Sequence, residues 1–265
     1  MPSRLAPARR RFVLGLVALL VLLVAVIAGL ALRSRSTSAT APDQSRPGPV
    51  LLVPGYGGSV ASLAPLASSL RTSGRDVTLV DLPDQALGDL ADQAASLAAT
   101  ADTVLARTGA ASLDVVGYSA GGVVARLWVT ENGGGEHVRR LVTLGSPHQG
   151  TDLARLGSLV SGSCPTACQQ LATDSPVLAR LDREPLPAGL VVLSLWTTQD
   201  DVVLPPSSAV IDGVPSPSLQ SICASDTVRH SGLPGDRLVQ GLVGEALGSG
   251  ALPTWGPQDC ARLSS

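Results

Sequence analysis

The chain has 265 residues, enough for one sizeable α/β domain, and its 45% hydrophobic against 15% charged residues exclude a disordered protein. A formal net charge of −2 hides an asymmetry: residues 1–41 carry Arg4, Arg9, Arg10, Arg11, Arg33 and Arg35 and no acid, which leaves 13 basic against 21 acidic residues, a net −8, beyond them. Phosphate binding wants a basic face, so the composition argues against a nucleic-acid partner.

Arg9-Arg10-Arg11 precedes Phe12–Leu32, an uncharged and almost wholly apolar run that Arg33 and Arg35 close. A bilayer needs about 20 apolar residues, whereas a signal-peptide core has about 7–15. Length therefore favours an uncleaved signal anchor crossing the membrane through residues 12–32. Ala39-Thr40-Ala41 resembles a cleavage site, but Pro42 follows it directly. Either way, residues 1–33 read as a signal anchor or signal peptide and place the rest outside the cytoplasm. Residues 34–49, rich in Ser, Thr, Ala and Pro, read as a flexible tether, and 50–265 as one folded domain.

Within that domain Pro49–Val53 is an apolar strand ending in Pro54-Gly55-Tyr56-Gly57-Gly58, and a helix runs on to about Arg71. Val77–Val80 is a second strand. A long amphipathic helix covers Leu87 to about Arg107, with Leu90, Ala94, Leu97, Ala101 and Val104 at helical spacing. Leu113, Val115 and Val116 mark a third strand, with a helix from Gly122. Val138–Leu144 is a fourth strand and Leu190–Trp196 a fifth, ending in Gln199-Asp200-Asp201. A short strand near Asp226–Val228 leads into His230, and Asp236–Leu247 forms the last helix. Continuous apolar strands alternating with helices mean a mostly parallel sheet flanked by helices on both faces. Such sheets place their sites beyond the carboxyl ends of the strands, where every polar cluster of this chain falls.

Between the third strand and its helix sits Gly117-Tyr118-Ser119-Ala120-Gly121, a G-x-S-x-G in strand–turn–helix context. A turn that tight strains its central residue and lifts the Ser119 hydroxyl above the sheet, facing the amides of a helix N-terminus. The bland alternative is a turn in which Ser119 merely caps the helix. A nucleophilic serine needs a base, and three histidines are available. His137 precedes its strand and lies at the wrong edge of the sheet. His148 follows that strand on the correct edge. His230 alone satisfies the order serine, acid, histidine when the acid is Asp200 or Asp201. Of these two, Asp200 is preferred, because it leads an Asp-x-Val-Val-x-Pro run; Asp226 and Asp174 are weaker candidates. Backbone amides of Ala120 and of Tyr56, in the glycine-rich loop after the first strand, are candidates for an oxyanion hole.

Cys164, Cys168, Cys223 and Cys260 form an even set suited to an oxidising compartment. Local pairing, Cys164 with Cys168 and Cys223 with Cys260, is preferred among three connectivities. No ligand set at zinc spacing accompanies them, so no metal is expected.

The motifs Pro54–Gly58, Gly117–Gly122, Leu144–Gly150, Asp200–Val203 and His230–Leu233 together resemble the α/β-hydrolase lipases and esterases, especially small secreted bacterial lipases. The resemblance spans roughly Val50 to Leu247. It implies an α/β-hydrolase fold, Ser119 as nucleophile, Asp200 as acid, His230 as base, Tyr56 and Ala120 as oxyanion donors, an acyl ester or lipid as substrate, and no cofactor. It also implies that the Ser146-Pro147-His148 segment is structural, which disfavours His148 as base. One departure stands out: Pro54 occupies the place of a histidine common in the family's oxyanion loop. Thr151–Leu181 is either a cap or an ordinary crossover. Rival readings are an envelope acyltransferase or thioesterase using the same residues, a peptidase, and a non-catalytic binding module on a hydrolase scaffold.

Overall fold

A computed structural model describes Leu14 and residues 17–22, 41–158 and 164–265. Contacts divide the chain into residues 1–40 and residues 41–265. In the first unit Leu14 and residues 17–22 are helical; most of the Phe12–Leu32 run, with the membrane span expected of it, lies outside the described residues. Among the described residues no helix is long and apolar enough to cross a membrane.

The second unit is built on five strands: β1 (Val50–Val53), β2 (Val77–Leu79), β3 (Leu113–Tyr118), β4 (Val138–Leu144) and β5 (Val191–Leu195). They form one sheet in the order β2-β1-β3-β4-β5, every pairing parallel. Parallel neighbours require crossovers, and helices supply them. These are α1 (Ala64–Thr72), α2 (Leu90–Thr108) and α3 (Ala120–Glu131); three short helices, α4 (Asp152–Ser158), α5 (Thr166–Gln170) and α6 (Pro176–Leu181), lead from β4 to β5. After β5 come α7 (Leu219–Ile222), α8 (Arg237–Ala246) and α9 (Cys260–Leu263).

Local chemistry sets the helix ends. The Asp89 carboxylate accepts the Ala91 N–H at 2.7 Å and opens α2, and Gly109, at φ 67°, closes it in the left-handed region that favours glycine. Asp236 caps α8 in the same way, accepting from the Val239 N–H at 3.0 Å. The period-two alternation of a strand then sorts the core. Leu51, Val53 and Val115 face α2 and α3, together with buried residues of the β4–β5 crossover, while Val50, Leu52 and Val116 face α1 and α8. Both faces are covered, which is why the strands read as unbroken apolar runs.

At the amino ends of the strands the core holds charges. Asp114 and Arg139 are both fully buried, and the guanidinium grips the carboxylate twice, at 2.9 and 2.7 Å, while Arg75 donates to it as well. Arg139 also donates to the carbonyls of Leu247 and Gly248, and Arg140 to those of Ala246 and Gly250. Two cations thus cap the carbonyl end of α8.

Two expectations are corrected here. Residues 42–49, read as the end of a tether, are bound to the folded unit: Gln44 donates to the Arg139 carbonyl at 3.1 Å and accepts from its guanidinium, and the unit begins at Ala41. Asp226–Val228 is not a strand. The Asp226 side chain accepts the Val228 N–H at 2.8 Å, a local turn that competes with sheet pairing.

Candidate active site

Three loops meet at the carboxyl edge of the sheet. The first is the turn between β3 and α3, where Ser119 takes φ 54° and ψ −128°, a conformation that a non-glycine residue adopts only when its surroundings enforce it. Hydrogen bonds on both sides enforce it here. The Ser119 N–H donates to the Leu144 carbonyl on β4 at 2.8 Å, and its carbonyl accepts the Gly122 N–H at 3.0 Å. A side chain at Gly117 would lie 2.4 Å from Gly122 Cα, so strand and helix approach this closely only because position 117 has none.

The second loop follows β5. Asp200 is buried, and its Oδ1 accepts two backbone N–H groups, from Val202 at 2.9 Å and Val203 at 2.7 Å. That turn of its own chain leaves Oδ2 aimed at the third loop. There, His230 begins a 3-10 helix (His230–Gly235) and is itself buried. His230 Nδ1 lies 2.8 Å from Asp200 Oδ2, and Nε2 lies 2.9 Å from Ser119 Oγ. Because a carboxylate only accepts, the Nδ1 proton belongs between His230 and Asp200. Nε2 is then the lone pair facing the serine hydroxyl.

Tyr118 completes the support. Its ring packs on the His230 ring with centroids 5.2 Å apart, and its hydroxyl donates to the His230 carbonyl at 3.2 Å. Burial, with Asp200 and then Asp201 nearby, pushes its pKa up to about 12, so it remains a donor. Its neighbour position made Tyr118 visible in the G-x-S-x-G motif, but nothing in the sequence marked this contact.

The other candidates separate cleanly. Asp201, adjacent to Asp200, points outward to Arg229 at 3.1 Å, and that hydrogen bond lowers its pKa. Asp174 is exposed, and Asp226 is engaged in its turn. His137 precedes β4, at the opposite edge of the sheet. His148 is fully buried below the site, with Nε2 3.0 Å from Thr143 Oγ1. Ser194 donates to the Ala209 carbonyl and Thr143 donates to Ser194, so the proton of the His148 contact sits on Nε2. Burial, with Arg126 adding to it, drives its pKa down to about 3. Among the described residues no group of three or more His, Cys, Asp or Glu side chains is disposed to hold a metal ion.

The loop after β1 lies against the serine: a Cβ at Gly55 would stand 2.8 Å from Ser119 Cβ. Beside it Tyr56 lines a cavity of about 210 Å³ together with Ser119, Pro147, Thr151, Leu153, Ala154, Cys168, Leu171, Val202 and Val203. Tyr56, Leu153 and Val202, 45%, 45% and 41% exposed, are the large hydrophobic side chains exposed among the described residues of 41–265. All three line this cavity. The four cysteines pair as Cys164–Cys168 and Cys223–Cys260.

A parallel sheet carrying a strained serine turn at the end of its third strand, with acid and histidine loops following the fifth, is the α/β-hydrolase fold. The chain has that fold, and residues 48–160 match the family model described as the α/β hydrolase fold. Among solved structures it is similar to lipase B of Aspergillus fumigatus, at TM-score 0.65 and 20% identity over 80% of this chain and 58% of that one. It is also similar to the product of the gene lin2722 of Listeria innocua, at TM-score 0.56 and 15% identity, over 76% and 94%. A third similarity is to the mature form of the Bacillus licheniformis lipase BlEst2, at TM-score 0.51 and 24% identity, over 60% and 69%. This chain thus spans little more than half the length of the Aspergillus lipase. No curated protein sequence matches it.

Proposed function

We propose that this chain is an exported serine hydrolase that cleaves carboxylic esters with lipid-like acyl groups through Ser119, His230 and Asp200. The observation that carries the reading is the continuous hydrogen-bonded path from Asp200 through His230 to Ser119, which opens into an apolar cavity. As Ser119 Oγ attacks the ester carbonyl carbon, its proton passes to His230 Nε2. Asp200 stabilises the imidazolium and keeps the ring in its tautomer. The tetrahedral oxyanion is met by the backbone N–H of Ala120, first residue of α3, and by that of Tyr56. Collapse expels the alcohol, protonated by His230, and leaves an acyl-serine. Water then repeats the sequence and frees the acid.

The cavity supports an acyl group, because its walls are almost wholly apolar and can hold a hydrocarbon chain without stranding polar atoms. The lipase neighbours agree with this reading. Export is supported by the two disulfides, which persist in oxidising compartments, and by the arginine-flanked apolar run 12–32 as signal anchor or signal peptide. In this reading residues 1–33 target the protein, a short tether follows, and the α/β-hydrolase domain is the catalytic one. A fluorophosphonate probe should label the wild-type chain but not Ser119→Ala or His230→Ala, and p-nitrophenyl esters should be hydrolysed in the same pattern. A folded wild type that neither labels nor turns over any ester would overturn the proposal.

A further inference from the structure

The two disulfides stand in different relations to the cavity. Cys223–Cys260 closes a separation of 37 residues and joins α7 to α9, and neither of its cysteines lines the cavity. Cys164–Cys168 closes a separation of only four, around the first turn of α5. Closing so short a loop removes far less freedom from the unfolded chain than closing the long one. Its main effect is therefore local.

That locality falls on the cavity wall. Helix α5 has five residues, too few to be stable alone, and borrows its order from neighbours. The Ala167 N–H donates to the Leu87 carbonyl at 3.1 Å, and the Gln170 amide accepts the Leu90 N–H at 2.8 Å and donates to Asp89 at 2.6 Å. These bonds tie α5 to the start of α2. On the cavity side its partner is α4, whose Ala154 carbonyl lies 3.9 Å from both sulfurs. Ala154 of α4, Cys168 of α5 and Leu171 just after α5 all line the cavity.

Resting on the ester-hydrolase reading above, we propose that the Cys164–Cys168 disulfide is the specificity-determining brace of the acyl cavity. It stiffens the start of α5 and seats both sulfurs against the Ala154 carbonyl of α4, so that Cys168, Leu171 and Ala154 form one fixed wall beside Ser119. An acyl chain several carbons long is held against that wall. An acetyl group, reaching only to the serine, is not.

The test uses the full chain and two p-nitrophenyl esters, acetate and octanoate. Cys164→Ala/Cys168→Ala should lower the octanoate-to-acetate ratio of kcat/KM at least tenfold, mainly through the KM for octanoate. Cys223→Ala/Cys260→Ala should change both esters in the same proportion. Equal losses on both esters in a folded Cys164→Ala/Cys168→Ala chain would remove the specificity role. Should that double variant not fold, Ala154→Leu keeps both disulfides and fills the same joint. It should cut the octanoate-to-acetate ratio at least fivefold, and an unchanged ratio overturns the brace. A wild type that hydrolyses neither ester and does not label removes the underlying hydrolase reading instead, so the two failures are distinguishable.

Discussion

The two ends of the sheet each bury an aspartate against a nitrogen base, yet they are built for opposite purposes. At the amino end Asp114 is held by Arg139 and Arg75, and Arg139 is spent further on the carbonyls that end α8. Guanidinium does not lose its proton at any accessible pH, so nothing there can move. At the carboxyl end Asp200 faces an imidazole, whose proton is exchangeable and whose second nitrogen opens onto Ser119. Saturating a carboxylate with permanent cations makes a clamp. Pairing it with one titratable ring gives the relay proposed above. The difference lies in the partner, not in the burial, since both aspartates are nearly or wholly inaccessible.

The sharpest way to break this contrast is at the relay. Ser119→Ala or His230→Ala should lower kcat for ester hydrolysis by about 10⁶-fold, and Asp200→Asn by about 10⁴-fold, with the urea midpoint little changed. Rates fully retained in His230→Ala would mean that the path is not a relay. The clamp should fail the other way. Asp114→Ala leaves the buried Arg139 and the partly exposed Arg75 short of their carboxylate and should destabilise the fold by about 3–5 kcal/mol in urea unfolding, while the activity of the molecules that remain folded is preserved.

A third prediction concerns His148, an uncharged histidine at neither end of this contrast. Its folded pKa, about 3, lies below the ordinary histidine value, so between these values the unfolded chain binds a proton that the folded chain does not. This group therefore makes stability fall as pH drops below about 6.5, with a slope of about 1.4 kcal/mol per pH unit, and has no effect above it. Comparing wild type with His148→Gln from pH 7.5 to 5, the wild type should lose stability more steeply. Parallel slopes would show that His148 is charged in the fold. The smallest effect is expected at the residue beside the relay: Asp201→Asn, which loses an exposed ion pair with Arg229, should leave kcat/KM within twofold.

Much of this was legible in the residues. Apolar runs bounded by glycine, proline and aspartate located all five strands, because a strand buried on both faces admits few polar side chains. The strand expected at Asp226–Val228 is defeated by an aspartate that bonds its own backbone two residues on. The attachment of residues 42–49 is not legible in the residues, because Ser, Pro and Gln say nothing about a distant partner. Gln44 is fixed by Arg139, 95 residues away.

By itself the sequence determined the parallel α/β layering, the strained turn at Ser119, the order serine, aspartate, histidine along successive strand ends, and an even cysteine set. These follow from local periodicity, from steric limits on tight turns and from the rule that sites gather at one edge of a parallel sheet. Only the tertiary structure decided that Asp200 and not Asp201 meets His230, that His148 is sealed beneath the site, and that Cys168 stands in the cavity wall. Each of these depends on the direction of a side chain or on contacts between residues far apart in the chain, and neither is encoded in spacing.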